Sequence, residues 1–88
     1  MKLVGTSRLN EAINRRPECA GALCAWRNEI RFRSWSSPEA LSASFAGADL
    51  TCLPVATFVV GHPPLYIEAL IDMHVGVVLV VGVRPVVQ

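Results

Sequence analysis

The sequence lacks the residue patterns on which most enzyme active sites are built. Its 88 residues include two histidines and one tyrosine, and they form no glycine-rich phosphate loop, no Ser–His–Asp arrangement and no cluster with metal-ligand spacing. His62 and His74 fall in predicted turns at opposite ends of a predicted strand, more than about 20 Å apart, so they are not expected to share a metal. The sequence therefore predicts no cofactor and no metal site.

Cysteines are few, and their number is odd. Cys19 and Cys24 are five residues apart, which is neither a CxxC pair nor a zinc-knuckle spacing. On a helix they would lie about 140° apart, too far round to share one site. We interpret these two and Cys52 as small buried side chains of a protein in a reducing compartment.

Long apolar segments and a secretory pattern are also missing. The longest apolar run, Val75–Val83, has about half of the roughly 20 residues that a membrane-spanning helix needs. Met1–Gly5 is short and is followed by polar and charged residues. With 52% hydrophobic and 17% charged residues, the composition is typical of a globular chain. We expect one domain over residues 1–88, no membrane association and a cytoplasmic location.

The formal net charge of +1 hides an uneven distribution of charge. Residues 1–33 carry seven basic and three acidic side chains, a net charge of +4, whereas residues 34–88 carry one basic and four acidic side chains, a net charge of −3. A basic half is compatible with an acidic partner, such as nucleic acid or an acidic protein segment. It is also compatible with an ordinary solvated helical face, and both interpretations stay open.

Helix signals are concentrated in the first half of the sequence. A first helix is predicted over residues 8–15, and it ends before Pro17 because the residue that precedes a proline is disfavoured in a helix. A second helix is predicted over Pro17–Arg33, where apolar residues recur at i, i+4, i+7 and i+11. A third helix is predicted to follow, either with Ser37 as its N-cap and Pro38 at the first position or with a capping box of Ser36 and Glu39, and to end at Gly47.

The tryptophans and arginines of this half have separate roles in this interpretation. Trp26 lies on the apolar stripe of the second helix and is interpreted as core, and Trp35 is interpreted as a wedge in the joint that follows. Arg27 and Arg31 lie one turn apart on a neighbouring face of the helix. They are either solvated surface residues or contacts to phosphate groups.

Strand signals dominate the second half. Strands are predicted over Val55–Val60, Leu65–Asp72 and Val77–Val83, and the short turns between them indicate an antiparallel meander. Lys2–Gly5 is either a further strand or an arm. We therefore predict an α+β fold in which N-terminal helices pack on the meander. The all-apolar third run fits a central strand covered on both faces, or an edge strand that a partner must cover.

Several of these residues keep a recognisable order. Trp26 and Trp35 have a W-x8-W spacing, and Ser37-Pro38, Leu41 and Phe45 form an SP-x-x-L-x-x-x-F segment. Further matching residues are Arg16-Pro17, Ala20, Leu23, Ala48-Asp49, Val55, Phe58, Gly61, Tyr66 and Val80-Val81-Gly82. Over about residues 7–83 the sequence resembles the HigB-type toxins of the RelE superfamily of bacterial toxin–antitoxin systems.

The resemblance implies a RelE-like fold and a metal-independent ribonuclease that cleaves mRNA on the translating ribosome and is neutralised by a cognate antitoxin. Such cleavage needs a base for the ribose 2′-hydroxyl, an acid for the leaving oxygen and cations on the phosphate. Candidate contacts to RNA or ribosome phosphates are Arg27, Arg31 and Arg33. Candidate catalytic residues are Arg84, at the scissile phosphate, and His74, as an acid or base.

Departures from the family pattern support two other hypotheses. Family members carry basic residues through the meander, where this sequence has apolar residues, Glu68 and Asp72, and they end in a Thr-His-Ala-Glu-Tyr tail, where Arg84 takes the histidine position. A catalytically inactive RelE-fold protein would instead bind a protein partner, or form a homo-oligomer through the Val77–Val83 strand. A basic RNA-binding module, with binding that weakens steeply as salt rises, is the third hypothesis.

Overall fold

The helices and strands follow the predicted order, with one additional strand. The structure is a computed structural model, and it describes residues 1–86. Its elements are β1 (Lys2–Val4), α1 (Thr6–Arg15), a 3₁₀ turn (Pro17–Cys19), α2 (Ala20–Phe32), α3 (Pro38–Ser44), β2 (Asp49–Cys52), β3 (Val55–Val60), β4 (Leu65–Asp72) and β5 (Val77–Pro85). The bounds of β3 and β4 are those expected from the sequence.

The five strands form one mixed sheet in the order β1-β5-β4-β3-β2. The predicted α+β class is confirmed, because three helices pack on this sheet, and the arrangement is compatible with a RelE-like fold. The predicted antiparallel meander of β3, β4 and β5 is confirmed, and β1 joins it as a strand parallel to β5, with Lys2 opposite Val77. A parallel pair needs a long crossover connection, and here α1 to β4 provide it.

The strand missed from the sequence, β2, is short and lies at an edge. Asp49 pairs with Thr57 and Cys52 with Val55, with a register shift between them. Of its four residues only Leu50 is even partly buried, so the strand depends on its pairing with β3.

A single cluster of buried side chains joins the helices to one face of the sheet. An aromatic chain runs through it: the ring centroids of Trp26 and Phe58 are 5.3 Å apart, those of Phe58 and Phe45 5.2 Å, and those of Phe45 and Trp35 5.6 Å. Trp35 also donates a hydrogen bond from Nε1 to Ser44 Oγ at 2.8 Å. Both tryptophans are buried, which confirms the interpretation of Trp26 as a core residue and places Trp35, from the joint after α2, in the same cluster.

The connection between β1 and α1 is tightly constrained at Gly5. Its φ is +84°, a left-handed conformation that favours glycine. A Cβ atom at this position would lie 2.6 Å from the carbonyl oxygen of Val80 in β5. The entry into α1 therefore depends on a residue without a side chain.

Two expectations from the sequence are wrong. Cys19 is buried, but Cys24 is only partly buried and Cys52 is exposed, because Cys52 ends the edge strand β2. The apolar strand β5 is covered on one face only: Val78 and Val80 are buried, whereas Val81 is exposed. Within residues 1–86, no helix is long and apolar enough to cross a membrane.

The start of α3 provides a test of the predicted cap. Ser37 has an extended backbone, and its Oγ accepts a hydrogen bond from the Ala40 N–H at 3.2 Å. Because this bond satisfies an otherwise unpaired helix donor, Ser37→Ala is expected to lower the free energy of unfolding by about 1 kcal/mol in urea denaturation. Ser36→Ala, one residue before the cap, is the matched control. Equal losses in the two variants would contradict the capping role.

Candidate catalytic and RNA-binding residues

The helices cover one face of the sheet and leave the other without helices. Inward-facing residues such as Ala56, Ile67 and Val78 are buried, and the residues that alternate with them are partly or fully exposed. We call this exposed side the open face. Its members from β3, β4 and β5 are Val55, Thr57, Val59, Tyr66, Glu68, Leu70, Asp72, Val77, Leu79, Gly82 and Arg84.

A β-bulge places Arg84 on the open face. Val80 pairs with Ala69, but Gly82 rather than Val81 pairs with Glu68, so β5 contains one extra residue at this point. A bulge of this kind changes the direction in which later side chains point. Without the extra residue, the strict alternation that buries Val78 and Val80 would turn Arg84 toward the core.

Arg84 contacts two other open-face residues. Its Nε donates a hydrogen bond to Glu68 Oε1 at 2.7 Å, and its guanidinium carbon lies 5.1 Å from the ring centroid of Tyr66, the residue directly opposite on β4. The side chains of Arg84 and Glu68 are 61% and 35% exposed, so ligands can reach them from solvent. We call Tyr66, Glu68 and Arg84 the Arg84 cluster.

The structure does not bring the second predicted catalytic residue, His74, to this cluster. His74 lies in the turn after Asp72, and six residues of β4, about 20 Å, separate Asp72 from Tyr66. The other histidine, His62, lies in the turn between β3 and β4, at the same end of the sheet as Arg84. No group of three or more histidine, cysteine, aspartate or glutamate side chains within residues 1–86 is arranged to hold a metal ion.

The Arg84 cluster contains the groups that metal-independent RNA cleavage requires. A carboxylate can accept the proton of a 2′-hydroxyl, a guanidinium can bind a phosphate through two parallel hydrogen bonds, and a phenol can donate a proton to a leaving oxygen. Neither Glu68 nor Tyr66 was among the site residues predicted from the sequence. The i, i+2 spacing of Tyr66 and Glu68 on β4 was the sequence signal that their side chains lie on the same face of the sheet.

The other acidic residues of this side have local structural roles. Asp49 accepts hydrogen bonds from the hydroxyl and the backbone N–H of Thr51, at 2.7 and 3.0 Å, and these bonds lower the pKa of its carboxyl. Asp72 accepts a hydrogen bond from the Val75 N–H at 3.0 Å and so closes the turn before β5. Glu68, by contrast, is bound to the side chain of Arg84.

The three predicted RNA-binding arginines have different surroundings. Arg27 is partly buried; its Nη2 contacts Cys24 Sγ at 3.8 Å, and its Nε is buried without a hydrogen-bond partner within residues 1–86. Arg31 is exposed, and its guanidinium carbon lies 5.9 Å from the ring centroid of Phe32. Arg33 follows the end of α2 and forms an ion pair with Glu29 at 3.4 Å. The three arginines therefore differ in exposure and partners, and of the three Arg31 is the exposed one that forms no ion pair within residues 1–86.

A cavity lies beside this end of α2. It has a volume of about 440 Å³ and is lined by Met1, Lys2, Leu3, Thr6 and Arg31. The amino group of Met1 donates hydrogen bonds to the backbone oxygens of Ile30, at 2.9 Å, and Arg33. These bonds fasten β1 to the C-terminal end of α2.

Comparisons with known proteins add no identification to this geometry. No protein-family model matches the chain, and no curated protein matches it.

Proposed function

We propose that the chain is a metal-independent endoribonuclease that cleaves RNA at the Arg84 cluster. The observation that carries the proposal is the contact of Arg84 with both Glu68 and Tyr66 on the open face. A base, a cation and a proton donor lie there within reach of one phosphate group. In this mechanism Glu68, Arg84 and Tyr66 act on the RNA directly and bind no metal ion.

Each residue of the cluster has one step in the reaction. Glu68 accepts the proton of the ribose 2′-hydroxyl, and the resulting oxygen attacks the adjacent phosphorus. Arg84 donates hydrogen bonds from its Nη atoms to the phosphate as negative charge accumulates, while its Nε stays bound to Glu68. Tyr66 donates its hydroxyl proton to the leaving 5′-oxygen, and a 2′,3′-cyclic phosphate remains. DNA is not a substrate because it has no 2′-hydroxyl.

The biological setting in this proposal comes from the resemblance to HigB-type toxins. The RNA is mRNA on the translating ribosome in the cytoplasm, and a cognate antitoxin neutralises the enzyme. The fold supports this setting in a limited way, because its α+β arrangement is compatible with a RelE-like one.

Arg84→Ala tests the proposal in cells. Induced expression of the unchanged protein is expected to arrest growth and to produce new mRNA 5′ ends, and Arg84→Ala is expected to remove most of both effects because the phosphate loses its cation. Arg15→Ala, an exposed arginine in the last turn of α1, is the matched control and should act like the unchanged protein. Co-expression of the cognate antitoxin, sought as the product of the neighbouring gene, is expected to restore growth.

Intact mRNA and normal growth with the unchanged protein would contradict the nuclease proposal. The alternative would then be a catalytically inactive RelE-fold protein that binds a partner. One observation favours it: Val4, Leu79, Leu70 and Val55 lie opposite one another on four neighbouring strands and form an apolar row across the open face. A stable complex with the neighbouring gene product would support this alternative.

The proposed homo-oligomer through Val77–Val83 has a narrower basis. Within residues 1–86, β1 already pairs with Val77–Leu79. A second chain could add a strand only alongside the later residues of β5. This oligomer stays a prediction, and a measurement of the molar mass of the purified protein in solution tests it.

A further inference from the structure

The most exposed large hydrophobic side chain of the described residues is Phe32, at 79%. It lies on the opposite side of α2 from the buried stripe of Leu23, Trp26 and Ile30, because at 100° per residue its position is about 120–180° round the helix from each of them. A phenylalanine in this position makes no contribution to the core. Its exposure calls for an explanation outside the packing of the fold.

The surroundings of Phe32 are basic, and a cavity lies next to them. Arg31 and Arg33 flank it in sequence, and the guanidinium of Arg31 lies 5.9 Å from its ring centroid. Arg31 and Lys2 also line the cavity of about 440 Å³ described above. We call Lys2, Arg31, Phe32 and Arg33 the α2 corner. Its four side chains are cationic or aromatic, and Glu29 forms an ion pair with Arg33.

The negative end of the α2 dipole would ordinarily oppose an anion at this place. Here the backbone oxygens of Ile30 and Arg33 already accept hydrogen bonds from the amino group of Met1. The cationic side chains of the α2 corner therefore determine the charge that a ligand meets.

We propose that the α2 corner binds single-stranded nucleic acid, with an unpaired base stacked on Phe32 and the neighbouring phosphates held by Arg31 and Lys2. Exposed aromatic rings beside cations are the usual basis of single-strand binding, because every base offers a π-face. A duplex is excluded from the stack, since its bases are already paired and stacked on each other.

The α2 corner is separate from the Arg84 cluster. Lys2 is opposite Val77 at one end of β5, and Tyr66 is opposite Arg84 near the other end, seven residues and about 20 Å away. Binding at the corner does not require cleavage at the cluster, so either proposal can fail without the other.

Fluorescence anisotropy with a labelled deoxythymidine oligonucleotide tests the corner. This probe has no 2′-hydroxyl and cannot undergo the proposed cleavage. Phe32→Ala is expected to weaken binding about tenfold, and Phe32→Trp to retain it, because the stack needs only an aromatic ring. Arg31→Ala and Lys2→Ala should each weaken binding and reduce the slope of log affinity against log salt by about one.

The controls separate stacking from general adhesion. Val75→Ala removes an exposed apolar side chain in the β4–β5 turn, and it should leave the affinity unchanged. Arg15→Ala removes an exposed cation on α1. It should lower the affinity by no more than about twofold, through the loss of one positive charge. A uridine oligonucleotide should bind like the deoxythymidine one, and duplex RNA should compete poorly. Equal affinity of Phe32→Ala and the unchanged protein, or no binding of the probe at low salt, would overturn the proposal and leave Phe32 as a contact for a protein partner.

Discussion

Glu68→Gln is expected to lower the rate of RNA cleavage by about 10²–10⁴-fold, the range typical of a lost general base. Glutamine has nearly the same shape as glutamate, and its amide oxygen can still accept the hydrogen bond from Arg84 Nε that the structure shows at 2.7 Å. It cannot accept the proton of a 2′-hydroxyl. The substitution therefore removes the chemistry of Glu68 and leaves the cluster in place.

Single-turnover cleavage of a labelled RNA in the presence of a metal chelator measures this effect. Glu39→Gln is the matched control, because Glu39 is an exposed carboxylate in the first turn of α3, away from the open face. Urea denaturation should show that both variants are folded. A Glu68→Gln protein that cleaves as fast as the unchanged one would remove Glu68 from the mechanism and leave Arg84 and Tyr66 without a base.

Gly5→Ala is expected to lower the free energy of unfolding by about 3 kcal/mol or more, a large part of the stability of a small domain. Two effects add at this position. Alanine disfavours the φ of +84°, and its Cβ would lie 2.6 Å from the Val80 carbonyl oxygen. That oxygen belongs to the backbone of β5, so it cannot move aside in the way that a flexible side chain can.

Gly47→Ala isolates the first effect, the strained backbone conformation. Gly47 has almost the same φ, +83°, but an added Cβ would meet no atom within 4 Å. Its substitution should cost about 1 kcal/mol, the contribution of the backbone conformation alone. Midpoints of urea denaturation provide both values. Similar losses in the two variants would show that β5 yields to the added methyl group.

The parts of the fold that were predicted correctly are those with a local signal. The alternation of Leu65–Asp72 gave the bounds of β4, and the Gly61–Pro64 break separated it from β3. The sequence of β5 had no signal for which side chains face the core, because a run of valines and leucine has the same character on both faces. Its pairing with β4, and the bulge at Val81, decide that Arg84 meets Glu68 and Tyr66. Because the sequence shows neither this register nor the bulge, it could not predict that Arg84, Glu68 and Tyr66 lie together.

Two features of the N-terminal half were not predicted, the exposure of Phe32 and the parallel pairing of β1 with β5, and only the first could have been. The position of Phe32 opposite the apolar stripe can be calculated from the helical period, so its exposure was accessible from the sequence. The parallel pairing of β1 with β5 was not, because it joins segments separated by more than 70 residues. The sequence indicated a strand or an arm at Lys2–Gly5, and no local pattern identifies the partner of a strand.

The pairing of Lys2 with Val77 sets the moment at which the chain can finish folding. During synthesis the ribosome releases the N-terminal segment first, and β1 must wait for β5, the strand that separates it from β4. Closing so long a loop is entropically costly and slow compared with forming the helices and the β3–β4 hairpin. Arg84 also lies on β5, so the Arg84 cluster is completed by the same late event. The proposed site is therefore incomplete in a nascent polypeptide until β5 has emerged.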